Sequence, residues 1–408
     1  MTVTPASQLD AVDPLARFRS RFVAADDPSV VAYLDGNSLG RPLAVTGERL
    51  AGFVAGAWGR RLIRSWDEAW LAEPVTVGDR LAEVTLGAAP GQVIVADSTS
   101  VLLYKLIRAA VDARPGRDEV LVDRGNFPTD RFVVAGIAAD RGLSVRYLDA
   151  PHDAGVRPAD VAAAVGERTA LVVLSQVAYR SGFLADMAAI TRATHDAGAL
   201  ILWDLCHSVG AFPIELDACD VDLAAGCTYK YLNGGPGSPA FCYVAARLQD
   251  ELRQPVWGWM GADDPFAMAA DYRPAKGIRK FISGTPPVLA MQPLKDMLEL
   301  IAEAGLADIR RKSVALTEQA ITLAAERLAP LGAVLASPRA AAERGSHVTV
   351  DHPCFADVTS ALWKQGVIPD FRPPDGIRVG LSPLSTSFAE LERGIDAIAT
   401  ELRHRLSG

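Results

Sequence analysis

Lys230 lies in GCTYKYLNGGPGSPAF (226–241), flanked by Tyr229 and Tyr231 and followed by Asn233, Gly234, Gly235 and Gly237 before another apolar run. A lysine beside tyrosines is ordinarily a strand residue snorkelling to water, and a Gly-Pro run is ordinarily a turn. Upstream, ILWDLCHSVG (201–210) sets Asp204 and His207 where an apolar run ends, the edge at which open α/β sheets hold ligands. A lone Asp in that position is more often a cap or a turn residue. Further upstream, ADSTSVLLYKL (96–106) ends an apolar run in Asp-Ser-Thr-Ser and passes directly into an apolar-periodic segment. Ser and Thr at a helix start usually cap it, and the same geometry gathers free N–H groups and the positive end of the helix dipole onto a phosphate. Each motif has an ordinary structural reading by itself. Together they are a less common set: a lysine that can form a Schiff base, a carboxylate that keeps a pyridine nitrogen protonated, and donors for a phosphate. That set is what catalysis by pyridoxal 5′-phosphate (PLP) requires.

The elements that must position these residues read as alternating β and α. Short, nearly continuous apolar runs stand at 91–97, 119–125, 143–149, 170–179, 199–205, 223–229 and 238–244, as strands buried on both faces should. Candidate helices lie between them, among them VLLYKLIRAAVDA (101–113) and DMAAITRATHDAG (186–198), the latter ending at a Gly suited to a C-cap. This pattern predicts an α/β fold with a mainly parallel sheet. It changes after about residue 285, where PPVLAMQPLKDMLELIAEAG opens a long helical stretch that leads to HVTVD (347–351) and GIRVGLS (376–382). We expect an N-terminal segment (1–60) that contributes to the site and to the small domain, a large domain (61–285) and a smaller C-terminal α+β domain (286–408). AAAERG (340–345) reads as a surface loop or helix end.

Bulk composition narrows the partners. With 408 residues and 50% hydrophobic content the chain can bury a substantial core. A net charge of −8 without a Lys/Arg block argues against nucleic acid or an anionic membrane as the main partner, which leaves small molecules or proteins. The five cysteines, Cys206, Cys219, Cys227, Cys242 and Cys354, form no CxxC pair and no regular framework, so neither a zinc site nor a disulfide scaffold is expected. Asp10 and Asp13 fall where a secretory signal would need an apolar core, and nowhere do 18 apolar residues run together. A cytoplasmic protein is the expectation.

WDLCHSVG followed by TYKYLNGGPGSPAF resembles the fold type I PLP enzymes, and specifically the kynureninase family. The likeness extends nearly end to end through YLDGNSLGRP (33–42), IRSWDEAW (63–70), DSTS, NFPTDRF (126–132), GWMG (258–261), SGTPP (283–287) and DFRPPDGIRVGLSPL (370–384). It implies that Thr99 and Ser100 meet the phosphate and that Phe127 stacks on the ring within a loop that includes Pro128, Thr129 and Asp130. It further implies that Asp204 pairs with the pyridine nitrogen, that His207 and Ser175 lie near the ring, and that Tyr229 donates to the phosphate or relays a proton. Trp259 and Thr285 would reach the phosphate of a neighbouring subunit, so a homodimer with shared sites is expected. Arg378 would take the substrate α-carboxylate through two parallel hydrogen bonds, although an arginine in such a run is otherwise a surface strand residue. Asn37, Ser38 and Gly40 would close over the substrate, and Trp66 would line the pocket and favour kynurenine over its 3-hydroxy form.

The implied reaction is hydrolysis of L-kynurenine to anthranilate and L-alanine, a step of tryptophan degradation, with Lys230, Tyr229 and Asp204 carrying the chemistry. Two departures from the family pattern bear on the substrate: Ala262 stands where a histidine is usual, and Pro286 where bacterial relatives often have glutamine. A substituted kynurenine therefore stays open as the substrate. A cysteine desulfurase would need a mobile nucleophilic cysteine, for which Cys354 in DHPCFAD is the candidate, without flanking Gly or Ser. A non-catalytic protein that keeps the fold is the reading from another class, against which the retained Asp204, His207, Tyr229, Lys230 and Arg378 weigh.

Overall fold

The computed structural model of the chain describes residues 4–407. After a short strand near the N-terminus, β1 (Ala32–Leu34), the chain runs through β2 (Val93–Ala96), β3 (Glu119–Asp123), β4 (Ser144–Leu148), β5 (Thr169–Ser175), β6 (Leu200–Asp204), β7 (Leu223–Gly226) and β8 (Ala240–Val244). Each of the seven apolar runs thus becomes a strand of one sheet, in the order β2-β8-β7-β6-β5-β3-β4. Pairing is parallel from β7 across to β4, while β8 is antiparallel to both of its neighbours. Parallel neighbours need a crossover, supplied for β3–β4 and β5–β6 by α2 (Pro128–Arg141) and α3 (Met187–Asp196), while α1 (Thr99–Asp112) carries the chain from the edge strand β2 across to β3. With helices to cover the sheet, the central strands bury every residue, which is why their sequences lack polar alternation.

The expected long helical stretch is two helices, α4 (Val288–Ala304) and α5 (Leu306–Arg327), separated by Gly305 at φ +80°, a conformation that favours glycine. They lead to β9 (Val334–Leu335), β10 (His347–Asp351), β11 (Val367–Arg372), β12 (Gly376–Gly380) and a closing helix α6 (Phe388–Ser407). The second sheet has the order β1-β11-β12-β10-β9, parallel at β1–β11 and antiparallel elsewhere. The N-terminal strand therefore completes a C-terminal sheet.

Apolar side chains gather in two clusters. The larger surrounds the seven-stranded sheet and takes in Leu15, Phe18 and Phe22 from the N-terminal segment together with α4 and Ile309 at the start of α5. The smaller joins Leu34 of β1 to side chains from Leu316 through Leu402. The changeover between them runs inside α5. Within AAAERG, expected as surface, Arg344 is buried and donates to the carbonyls of Pro338 (2.8 Å) and Arg339 (2.6 Å).

Candidate active site

Because β5, β6 and β7 run parallel, their C-terminal ends share one edge. Ser175, the last residue of β5, is the register partner of Asp204, the last of β6. Asp204 Oδ1 accepts from the Cys206 N–H at 2.7 Å, and Ser175 Oγ, which donates to Asn126 Oδ1 at 2.6 Å, lies 3.4 Å from Asp204 Oδ2. One carboxylate oxygen is thus held by the backbone, while Oδ2 has only this long contact. Beyond β7 the chain turns through Lys230, whose Nζ lies 3.2 Å from His207 Nε2 and 5.8 Å from the centre of the Phe127 ring. Both Lys230 and His207 are buried. The turn is held by the Asn233 N–H to the Lys230 carbonyl (3.0 Å) and by Asn233 Nδ2 to the Arg41 carbonyl (2.7 Å).

Electrostatics sort these groups. Burial, reinforced by the Lys230 and Arg378 charges, holds the His207 imidazole well below its usual pKa, so it is neutral. Burial, with the adjacent Asp204 charge second, pushes the Asp130 carboxyl well above the usual carboxylate range. Burial first, then the Cys227 and Cys206 thiols, raise the Tyr229 phenol above its ordinary value. Tyr229 is therefore a proton holder, not a base.

These residues face a cavity of about 490 Å³, within the range that holds small-molecule ligands. At one end stand Ser98, Thr99 and Ser100, at the start of α1. The Ser98 side chain makes no cap hydrogen bond, so the first-turn N–H groups and the positive end of the helix dipole are left for an anion. The ordinary capping role of such a cluster is not the one adopted here. Asp130 Oδ1, on the same wall, is a buried acceptor without a partner. An uncapped helix start, a buried amine, a carboxylate with one oxygen largely unengaged and the Phe127 ring beside them fit a planar pyridine ring with a phosphate arm.

The small sheet supplies a second polar group behind His207. Arg378 on β12 is 1% exposed. Its Nη2 meets Asp370 Oδ2 at 2.7 Å and Ser38 Oγ at 2.8 Å, and its Nη1 donates to the Tyr179 carbonyl at 2.7 Å and lies 3.5 Å from His207 Nε2. With the Asn37 amide turned to satisfy its neighbours, its oxygen accepts from Arg378 Nε at 3.0 Å and its nitrogen donates to Asp35 at 3.2 Å. The turn carrying Asn37 and Ser38 follows β1, where Asp35 bridges to Gly380. It also reaches the lysine turn: the Gly40 N–H donates to the Tyr229 carbonyl at 2.8 Å, and a Cβ at residue 40 would overlap the Lys230 carbonyl and the Asn233 side chain.

A family model, the Kynureninase C-terminal domain, matches residues 309–398. Over 400 residues the chain is 41% identical to a kynureninase of Burkholderia pseudomallei strain 1106a, an alignment that covers 96% of this chain and 94% of that protein. The chain belongs to the kynureninase family. The fold is shared more widely. A cysteine desulfurase from Thermococcus onnurineus NA1 superimposes with a TM-score of 0.82 at 16% identity, covering 95% of this chain and 98% of that one. A C-DES mutant with glycine covalently linked to its PLP cofactor gives 0.79 at 19% identity, covering 93% and 98%. Identities this low speak for the fold alone, and the desulfurase reading gains nothing from them.

Of the residues that the kynureninase resemblance singles out, the cavity wall brings together Thr99, Ser100, Phe127, Thr129, Asp130, Asp204, His207, Tyr229, Lys230 and Thr285. Pro128 opens α2 beside this wall and Ser175 stands behind Asp204, neither on the lining itself. Thr285, which the resemblance directs to a neighbouring subunit, stands on the wall of its own chain's cavity. Trp259 is off that wall and 41% exposed. Trp66 lines a separate aromatic hollow with Phe53, Trp58 and Trp70, and Pro286 borders both spaces. Ala262 lies on neither wall; its carbonyl accepts from Arg279.

Sequence reasoning passed over Asn126, Cys206 and Asp370. Asp370 was within reach, because a hairpin drawn through DFRPPDGIRVG pairs residue 370 with residue 378.

Proposed function

We propose that this member of the kynureninase family is a PLP-dependent hydrolase that cleaves the Cβ–Cγ bond of L-kynurenine, giving anthranilate and L-alanine, and that it works as a cytoplasmic homodimer. The observation that carries the reading is the meeting of the Lys230 amine, Asp204 Oδ2 and an uncapped helix start on one cavity, in a chain with a kynureninase relative along nearly its whole length. Among the described residues no helix is long and apolar enough to cross a membrane. Exposed Trp58, Leu62, Ile63 and Leu289 around the aromatic hollow support a second copy as their cover.

Bound here, PLP supplies the electron sink that makes the α-proton acidic and the Cβ–Cγ bond breakable. Thr99, Ser100 and the first-turn N–H groups of α1 would hold its phosphate, Phe127 would pack on the ring, and Asp204 Oδ2 would accept a hydrogen bond from the ring nitrogen and so keep it protonated. Lys230 would hold the cofactor covalently, and its Nζ, buried beside His207, is placed to take the substrate α-proton and return it. Neutral His207 cannot repel this amine with a charge of its own. Arg378 receives the α-carboxylate in place of the Ser38 hydroxyl, so the turn at residues 36–40 shifts as substrate enters. Water adds to the γ-carbonyl, its oxygen leaves in the anthranilate carboxylate, and Tyr229 provides the proton that the departing alanine Cβ takes up.

Addition of L-kynurenine to the PLP-loaded protein, followed by anthranilate fluorescence, tests this directly. Anthranilate release that is lost in Lys230→Ala is the expected result. Binding of PLP without release of anthranilate would remove the kynurenine assignment and leave the fold. A second reading, preference for 3-hydroxykynurenine or another ring-substituted kynurenine, is supported by Pro286, which borders both the cavity and the Trp66 hollow. Ratios of kcat/KM across substituted kynurenines decide between the two.

A further inference from the structure

Lys105, in the second turn of α1, is a fully buried lysine that the chemistry above does not use: its exposure is 0%. Lysine is almost never buried so completely unless it is paired. Its Nζ donates to Asp97 Oδ2 at 2.6 Å and to the Phe281 carbonyl at 2.8 Å. Both acceptors belong to stretches that form the cavity wall. Asp97 follows β2, lies on the wall itself and immediately precedes Ser98, Thr99 and Ser100. Phe281 immediately precedes the stretch in which Ile282, Gly284 and Thr285 line the same cavity. One ammonium therefore ties together two wall segments far apart in sequence.

We propose that Lys105 is a positioning residue for the phosphate arm of PLP, acting through Asp97 and the Phe281 carbonyl; the inference rests on the cofactor reading above. Two physical demands converge on it. Asp97 sits at φ +49°, a left-handed conformation that outside glycine is adopted mainly by Asp and Asn through local hydrogen bonding of the side chain, and this turn sets where the first N–H groups of α1 point. Asp97 also places a carboxylate on the wall that must receive a phosphate, and the Lys105 ammonium neutralises it at contact distance. Without Lys105, Asp97 is drawn towards water, the turn relaxes, and the 281–285 segment loses its tie.

The test compares PLP with pyridoxal, which lacks the phosphate, in titrations of the full-length chain stripped of cofactor and followed by absorbance. Wild type should prefer PLP. Lys105→Met keeps the length and apolar stem of the side chain and should cut that preference about ten- to hundredfold, the worth of a charge-assisted hydrogen bond, with pyridoxal affinity little changed. The double variant Lys105→Met/Asp97→Asn leaves no uncompensated charge; it should recover thermal stability yet still lack most of the preference, and it decides the matter if the single variant folds poorly. Equal weakening of PLP and pyridoxal, or a wild-type preference in the double variant, would overturn the positioning role. A wild type indifferent to the phosphate would instead overturn the cofactor reading beneath it.

Discussion

On the lysine side of the site, Ser175, Asp204 and Lys230 sit at or just beyond the ends of β5, β6 and β7, three adjacent and mutually parallel strands of one sheet. On the arginine side, Arg378 draws its partners from residues 37, 38, 179 and 370, which three separate parts of the chain must bring together. The first arrangement follows from sheet topology: once the strands pair, their ends line one edge. The second is a buried polar cluster in which each member satisfies another, so removing one leaves a desolvated charge behind. Under the proposed function, chemistry falls on the side that needs least to assemble, and substrate recognition on the side that has to close.

The sharpest break between the two sides is expected at Lys230. Lys230→Ala should lower kcat by about a thousandfold or more, as loss of a group that acts in every step does, while the circular dichroism spectrum stays that of the wild type. An anthranilate assay shows it, and residual turnover within tenfold of wild type would mean that another amine carries the reaction.

Next in size is Gly40, where the two sides touch. Its N–H bonds to the Tyr229 carbonyl and there is no room for a Cβ against the Lys230 carbonyl. Gly40→Ala should therefore cost about 1–3 kcal/mol of stability, as overpacking does, and should lower kcat as well because the lysine turn must move. Loss of stability with kcat unchanged would show that the turn at 36–40 braces the fold without setting the lysine.

Arg378→Lys keeps the charge and removes the fork. It should raise KM for kynurenine about ten- to hundredfold, with a smaller effect on kcat, since a point charge cannot replace two parallel hydrogen bonds. A fall in kcat at unchanged KM would instead assign Arg378 to holding His207, 3.5 Å away.

The same contrast governs what could be read from the residues alone. The strands of the large sheet were legible because parallel strands buried on both faces leave unbroken apolar runs, and Asp204 and Lys230 because they follow such runs. Gly40 and Asn37 could be named from the GNSLG motif, but their docking against Lys230 and Arg378 depends on β1 joining a sheet more than 300 residues away, the span that separates Tyr33 from its register partner Ile368. Lys105 was hidden for the opposite reason: it stands in an amphipathic helix whose lysine would ordinarily face water, and only the Asp97 turn and the Phe281 carbonyl bury it. Trp66 reads as a pocket residue by resemblance, whereas the hollow it lines meets the main cavity only across Pro286.

The smallest expected effect lies on the arginine side and depends on pH. Burial, followed by the nearby Asp370 carboxylate, raises Asp35 to about 6, with Ser38, Arg378 and Arg372 opposing the shift. An unfolded aspartate titrates near 3.9, so the folded state binds the proton more tightly. The stabilisation from that difference is complete below about pH 4, declines as the unfolded chain ionises, and is gone once pH passes about 6, above which a charged Asp35 must be kept in a poorly solvated place. Asn at this position carries no titrating proton. Relative to wild type, Asp35→Asn should therefore gain about 1 kcal/mol between pH 5 and pH 8, a value kept low because part of the side chain meets solvent. Thermal melts of both proteins across that range would show the two curves separating as pH rises. Parallel curves would mean that Asp35 stays ionised throughout and that Arg378 holds both carboxylates as a charged triad, which would make the arginine side as permanently assembled as the lysine side.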